Sequence, residues 1–287
     1  MARATQAIIN CHALRENYQL VKQAAPSSRA YAVIKANAYG HGLLQVANAL
    51  SATADGFAVA FIEEAQQLRQ GGVLLPILVL EGLMDETQYQ IAQDLDLELV
   101  VHQPIQIQWL KQQQTGRLQI WLKVDTGMHR LGFALQDIPA LVSDLHSMKC
   151  VADIHLISHF ARADEVGHDF NQQQLARMET LAPMNLHMSM SNSAAIFSLP
   201  ESHGHTVRPG IMLYGASPLQ NKRALPFTLK PVMTLQSEVL ALQQVSTGES
   251  VGYGQAFVAG KDSAIAVVSI GYGDGYPRSA KQGTPVL

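Results

Sequence analysis

Tyr31-Ala32-Val33-Ile34 runs without a break into Lys35-Ala36-Asn37-Ala38-Tyr39-Gly40-His41-Gly42. The first four residues read as a short buried strand, and the glycines that follow let the backbone approach a ligand closely. Working outward, apolar or β-branched runs recur at 56–60, 76–80, 97–101, 118–124, 153–158, 186–190 and 206–214, with helical patterns between them. Ile62-Glu63-Glu64-Ala65-Gln66-Gln67-Leu68-Arg69 places its apolar residues at helical spacing, and Gly71-Gly72 ends it. Residues 169–181 form another such helix, closed by Pro183. Strands alternating with helices call for βαβ units and a parallel sheet. About eight units in this span point to an α/β fold of the (β/α)8 TIM type, with a doubly wound open sheet as the competing arrangement.

After Phe227 the texture changes. Runs at 232–245, 264–269 and 284–287 read as strands separated by Gly248, Gly252, Gly254, Gly260, Gly271, Gly273 and Gly275, without helical periodicity. The expected organisation is therefore residues 1–10 as a strand joining a β-domain, 11–225 as the barrel, and 226–287 as a partial all-β C-terminal domain carrying Tyr253. The last run has no turn or polar tail behind it, so this β-domain is expected to be truncated.

Composition narrows the function classes. Charged residues make up 15% of the chain, against a usual figure of about 25%, and hydrophobic residues 47%, which excludes disorder and coiled coil. A net charge of −3 offers no basic footprint for nucleic acid. Cys11 and Cys150 form neither a disulfide framework nor a metal spacing, and the N-terminus lacks a signal pattern. The apolar stretch 73–83 is interrupted by Pro76 and Glu81 and is too short for a bilayer. A cytoplasmic protein is expected. The histidines show no His-Glu-x-x-His spacing, His203 and His205 read as a surface loop, and no metal is expected. Gly271–Gly275 is no dinucleotide fingerprint, because no helix follows it.

Lys35 stands at the end of the first expected strand, the edge where barrels build active sites. A lysine desolvated by an apolar strand end has a lowered pKa and becomes a nucleophilic amine. Without its context, it reads more readily as a lysine snorkelling to solvent, and the glycines and Tyr39 that follow it shift the balance toward a ligand site.

The segment Ala32–Gly42 resembles the pyridoxal-phosphate lysine motif of bacterial alanine racemases. The likeness continues through Lys123-Val124-Asp125-Thr126-Gly127-Met128-His129-Arg130, Ser158-His159-Phe160-Ala161-Arg162-Ala163-Asp164, Asn192-Ser193, Arg208-Pro209-Gly210-Ile211, Val251-Gly252-Tyr253-Gly254 and Gly271-Tyr272-Gly273-Asp274-Gly275-Tyr276. One motif is weak evidence; the ordered set is specific.

The resemblance implies a homodimeric isomerase that interconverts L- and D-alanine and supplies D-alanine for peptidoglycan. Lys35 would carry pyridoxal 5'-phosphate and act as one base, and Tyr253 of the partner subunit as the other. Two bases suit a proton removed from one face of the α-carbon and returned to the other. Arg208 would face the pyridine nitrogen, with His159 holding it in place. Ser193, Gly210, Ile211 and Tyr39 would hold the phosphate, with Asn192 beside them at the start of an expected helix at 194–199. Arg130 would reach the cofactor's phenolic oxygen and the substrate carboxylate. Lys123 is the position carbamylated in many family members, and Tyr272 lines the substrate entry.

Three other readings stay open. A barrel-type decarboxylase would place an acid where Arg208 stands. A broad-specificity racemase differs only in substrate range. The family's β-domain runs on past residue 287, with a Met-Asp pair and a Tyr at the site, so a cofactor-binding barrel with little turnover is the third.

Overall fold

The computed structural model describes residues 4–220, 227–281 and 283–286. Its contacts divide the chain into two units, one made of Met1–Ile9 with Met233–Leu287 and the other of Asn10–Val232.

The larger unit is a parallel barrel. Strands β2 (Arg29–Val33), β3 (Gly56–Val59), β4 (Ile77–Val79), β5 (Glu98–Val101), β6 (Leu118–Lys123), β7 (Val151–Ile157), β8 (His187–Ser189) and β9 (Thr206–Val207) form an eight-stranded sheet in the order β8-β7-β6-β5-β4-β3-β2-β9. The ends of that order meet, because His205 N–H donates to Met188 O at 3.0 Å and Arg208 N–H to Ser191 O at 2.9 Å. β3, β4 and β5 are buried at every position, as strands covered on both faces must be.

Helices α1 (Cys11–Ala24), α3 (Leu43–Leu50), α4 (Ile62–Gln70), α5 (Gln88–Asp94), α6 (Pro104–Lys111), α7 (Ile138–His146) and α8 (Asp169–Glu179) alternate with the strands. Two short helical pieces, α2 (Lys35–Tyr39) and α9 (Ala195–Ser198), follow β2 and β8. Asn10 starts α1 by accepting the His12 and Ala13 N–H groups on its side chain.

Inside the barrel Tyr31, Val33, Ala58, Leu78, Val100, Trp121 and Ile157 pack into one cluster. Gly56 is required there, because a Cβ would lie 2.7 Å from the Tyr31 ring. Below the upper residues of this cluster sits an acid. Glu98 accepts from Tyr31 Oη at 2.9 Å and from Trp121 Nε1 at 2.8 Å.

The smaller unit is all β. β1 (Gln6–Ile9) pairs antiparallel with β10 (Met233–Gln236), β11 (Val239–Val245) with β14 (Ser263–Val268), and β12 (Ser250–Val251) with β13 (Phe257–Val258).

Three expected strands need correcting. The run 206–214 is strand only over Thr206–Val207; Pro209 has no N–H for a ladder, and Ile211–Tyr214 closes into a 3-10 turn. The run 232–245 breaks into β10 and β11 around Ser237 and Glu238. Residues 284–286 are not strand, Thr284 N–H being taken up by Lys281 O in a turn, and Leu287 lies outside the described residues. The boundary expected at 225/226 also lies outside them, and the observed division falls after Val232. Residues 227–232 stay with the barrel because Leu229 and Val232 are buried and Asn17 bonds both the N–H and the carbonyl of Lys230.

Among the described residues no helix is long and apolar enough to cross a membrane, and no cluster of His, Cys, Asp and Glu is arranged to hold a metal ion.

Candidate active site

β2 ends at Val33, and Lys35 opens α2 directly above it. The turn is left-handed. Ala36, Asn37, Ala38 and Tyr39 all have φ of 53–54°, a conformation costing about 1–2 kcal/mol per non-glycine residue. Such strain persists only where the surroundings over-determine it. Gly40 N–H donates to Ala36 O and Asn37 O, Gly42 N–H to Asn37 O, and Leu43 N–H to Asn37 Oδ1 at 2.8 Å. Glu64, from the start of α4, accepts Asn37 N–H at 3.3 Å on one oxygen and Ala60 N–H at 2.8 Å on the other.

A cavity of about 330 Å³ opens at this end of the barrel, within the size range of small-molecule sites. Lys35 and Tyr39 line it from the first turn, Lys123 and Arg130 from the end of β6 and its loop, and His159 from beyond β7. Asn192 and Ser193 after β8, and Arg208, Gly210 and Ile211 after β9, complete this set.

Arg208 is buried. Its Nη1 donates to Ser189 Oγ, and its Nη2 to Ser158 O at 2.6 Å and Met190 O at 3.4 Å. Burial pulls its pKa below the free-arginine range. His159 Nδ1 lies 3.4 Å from Arg208 Nη2, and its Nε2 lies 3.4 Å from Asn192 Nδ2. Burial, followed by the charges of Lys123, Arg208, Arg130 and Lys35, holds His159 well below the usual histidine range. A neutral ring has one acceptor nitrogen, and with Nδ1 accepting from the Arg208 guanidinium its Nε2 carries the proton.

Lys123 is half-buried. Desolvation, then Arg208 and Arg130, lower its pKa to about 7, against weaker opposing pulls from Glu81 and Asp125. Asp125 shapes the loop that carries Arg130, accepting from Gly127 N at 2.9 Å and His129 N at 3.1 Å. Burial would raise its carboxyl pKa, but these donors and the His129 ring hold it below the usual range.

The remaining corner is a polar cradle. Ser193 Oγ accepts Gly210 N–H at 2.7 Å and Met212 N–H at 3.4 Å, while Asn192 Oδ1 accepts from Ala194 and Ala195. The helix expected at 194–199 forms only over Ala195–Ser198, with Asn192 accepting the N–H groups at its entry, which leaves the Ser193 hydroxyl to the β9 loop. A Cβ on Gly210 would stand 2.8 Å from Tyr39 Oη.

Tyr253 and Tyr272 belong to the β unit, where both are exposed. Sequence reasoning missed Glu81 and Asp164, which line the cavity, and Ser158 and Ser189, which hold Arg208. The one available signal was a serine at an inward position of an apolar strand.

Residues 9–218 match the family model described as Alanine racemase, N-terminal domain, and residues 232–287 match Alanine racemase, C-terminal domain. The chain belongs to the alanine racemase family. An alanine racemase of Stutzerimonas stutzeri is 46% identical over 287 residues, covering 99% of this chain and 80% of that protein. The crystal structure of the biosynthetic alanine racemase from Pseudomonas aeruginosa superposes with a TM-score of 0.93 at 42% identity, over 100% of this chain and 80% of that one. The alanine racemase of Bartonella henselae, solved with covalently bound pyridoxal phosphate, superposes with a TM-score of 0.84 at 31% identity, over 96% and 78% of the two chains. The barrel with an all-β C-terminal domain is this family's fold.

Proposed function

We propose that this chain is a pyridoxal-phosphate-dependent alanine racemase, interconverting L- and D-alanine. The observation that carries the reading is the single cavity in which the Lys35 amine shares walls with three other Lys and Arg side chains and with the Ser193–Gly210–Tyr39 cradle.

That donor set fits the cofactor. Gly210 leaves open the space a Cβ would fill, beside a tyrosine hydroxyl and a serine hydroxyl, which suits a phosphate. Lys35, Lys123, Arg130 and Arg208 outnumber Glu81, Asp125 and Asp164, which suits an anionic ligand with a carboxylate substrate. When bound, pyridoxal phosphate supplies an electron-withdrawing ring that acidifies the substrate's α-proton.

Lys35 would hold the cofactor through Nζ and move a proton at that atom on one face. Tyr253 of the partner subunit would move a proton at its hydroxyl on the other face. Arg208, fixed by Ser158, Ser189 and Met190, would orient the ring while keeping its own proton. Arg130 would bind the substrate carboxylate, and Tyr272 would line the entry. Lys123, with its pKa near 7, has a large neutral fraction and so is open to carbamylation, which would turn it into an anion beside Arg130. A homodimer in the cytoplasm supplying D-alanine for peptidoglycan agrees with this scheme.

The test is chiral separation of alanine after incubation with cofactor-loaded protein. Racemisation of either enantiomer, absent in K35A and in Y253F, is expected. Mixing the two inactive variants should restore about a quarter of wild-type activity, because half the random dimers are hybrids with one intact site. Loss of activity in K35A without recovery on mixing contradicts the shared site. Turnover of other amino acids in preference to alanine contradicts the substrate.

A further inference from the structure

We propose that His41 and Tyr214 form a brace that positions the Tyr39 hydroxyl, so that the pocket's preference for a phosphorylated over an unphosphorylated ligand depends on them. The inference rests on the reading of the pocket as a pyridoxal-phosphate site and names residues that reading does not use.

His41 Nδ1 lies 3.1 Å from both Ala38 O and Tyr39 O. Both oxygens are acceptors, so Nδ1 carries the proton and donates a three-centre bond to the end of the left-handed turn. The same ring packs on Tyr214, with centroids 4.4 Å apart at 34°. Tyr214 in turn packs on Tyr39 at 4.9 Å and 31°, and its Oη donates to Val33 O at 3.1 Å. The contacts therefore run from the carbonyls of the turn, through two rings, back to the last residue of β2.

Neither His41 nor Tyr214 lines the cavity, whereas Tyr39 does. Their effect on a ligand must pass through Tyr39. Four successive left-handed residues favour relaxation to ordinary backbone wherever a clamp is lost. Relaxation would carry the Tyr39 hydroxyl away from Gly210, its close neighbour in the cradle. The ring-nitrogen end of the pocket, built on Arg208, has separate supports in Ser189 and Ser158.

The experiment titrates the apo-protein with pyridoxal phosphate and, separately, with pyridoxal, following absorbance. The wild type should bind the phosphorylated compound far more tightly. H41A should lose about tenfold in affinity for pyridoxal phosphate and change by less than about twofold toward pyridoxal. H41N keeps an N–H near the Nδ1 position and should recover most of the difference. An equal loss for both compounds, or unchanged discrimination in H41A, overturns the proposal. If H41A does not fold, Y214L removes the ring stack and is read the same way. A wild type that does not distinguish the two compounds overturns the cofactor reading instead.

Discussion

Arg208 Nη2 donates to the carbonyl oxygen of Ser158 at 2.6 Å. Among the described residues its other acceptors are Ser189 Oγ, Met190 O and the His159 ring, all of them neutral. The guanidinium is thus held firmly without a carboxylate to cancel its charge, and that charge stays available to the pocket. Replacing Ser189 by alanine removes one support and leaves the rest. S189A should keep the fold, losing about 1 kcal/mol of stability, and reduce kcat/KM about tenfold. Thermal unfolding and steady-state rates check it; an unchanged kcat/KM contradicts the positioning role.

Lys123 carries a cost of its own. Its folded pKa, about 7, is depressed from 10.5, so its ammonium form is disfavoured by folding. The penalty is fully present below pH 7 and fades as pH rises toward the unfolded value. K123M should therefore raise Tm at pH 6.5, and the gain should shrink by pH 9.5. Racemase activity should fall steeply in the same variant. A Tm gain that does not change with pH contradicts the assignment.

Glu98 obeys the opposite sign. Burial raises its carboxyl pKa despite the hydrogen bonds from Tyr31 and Trp121. The stability associated with its protonated form is present below the unfolded value and is lost as pH rises through the folded one. Glutamine can serve both neighbours, accepting from the Trp121 N–H and donating to the Tyr31 oxygen. E98Q should gain stability relative to wild type between pH 4 and pH 8, whereas E98L, which leaves both donors unpaired, should lose about 1–3 kcal/mol relative to E98Q. Urea unfolding at the two pH values decides it.

The cradle predicts a coupled pair. G210A places a methyl 2.8 Å from Tyr39 Oη, while the next ring atom stands at 3.5 Å. G210A should weaken cofactor binding at least tenfold. Y39F removes the clashing oxygen, so adding it to G210A should cost much less than Y39F alone. A double-mutant cycle on cofactor Kd measures the coupling; strict additivity contradicts the contact.

Much of this site was legible before the structure. The strand runs and the helix opened by Ile62 carry their period in the sequence, and Lys35 and Lys123 stand at the ends of those runs. Less legible was the left-handed turn, since Ala36-Asn37-Ala38 has no residue that demands positive φ and two of its clamps, Glu64 and Tyr214, are supplied from elsewhere in the fold. Glu98 was equally hidden, because an acid in a buried strand declares itself only through partners on other strands. The run 206–214 misled because its apolar residues serve a turn rather than a strand.

The amine at the end of β2 is the group proposed to hold the cofactor in the barrel. Protein loaded with pyridoxal phosphate, reduced with borohydride and digested, should yield one pyridoxyl-modified peptide, with the label on Lys35. A label on another lysine, or none on a protein that racemises alanine, contradicts it.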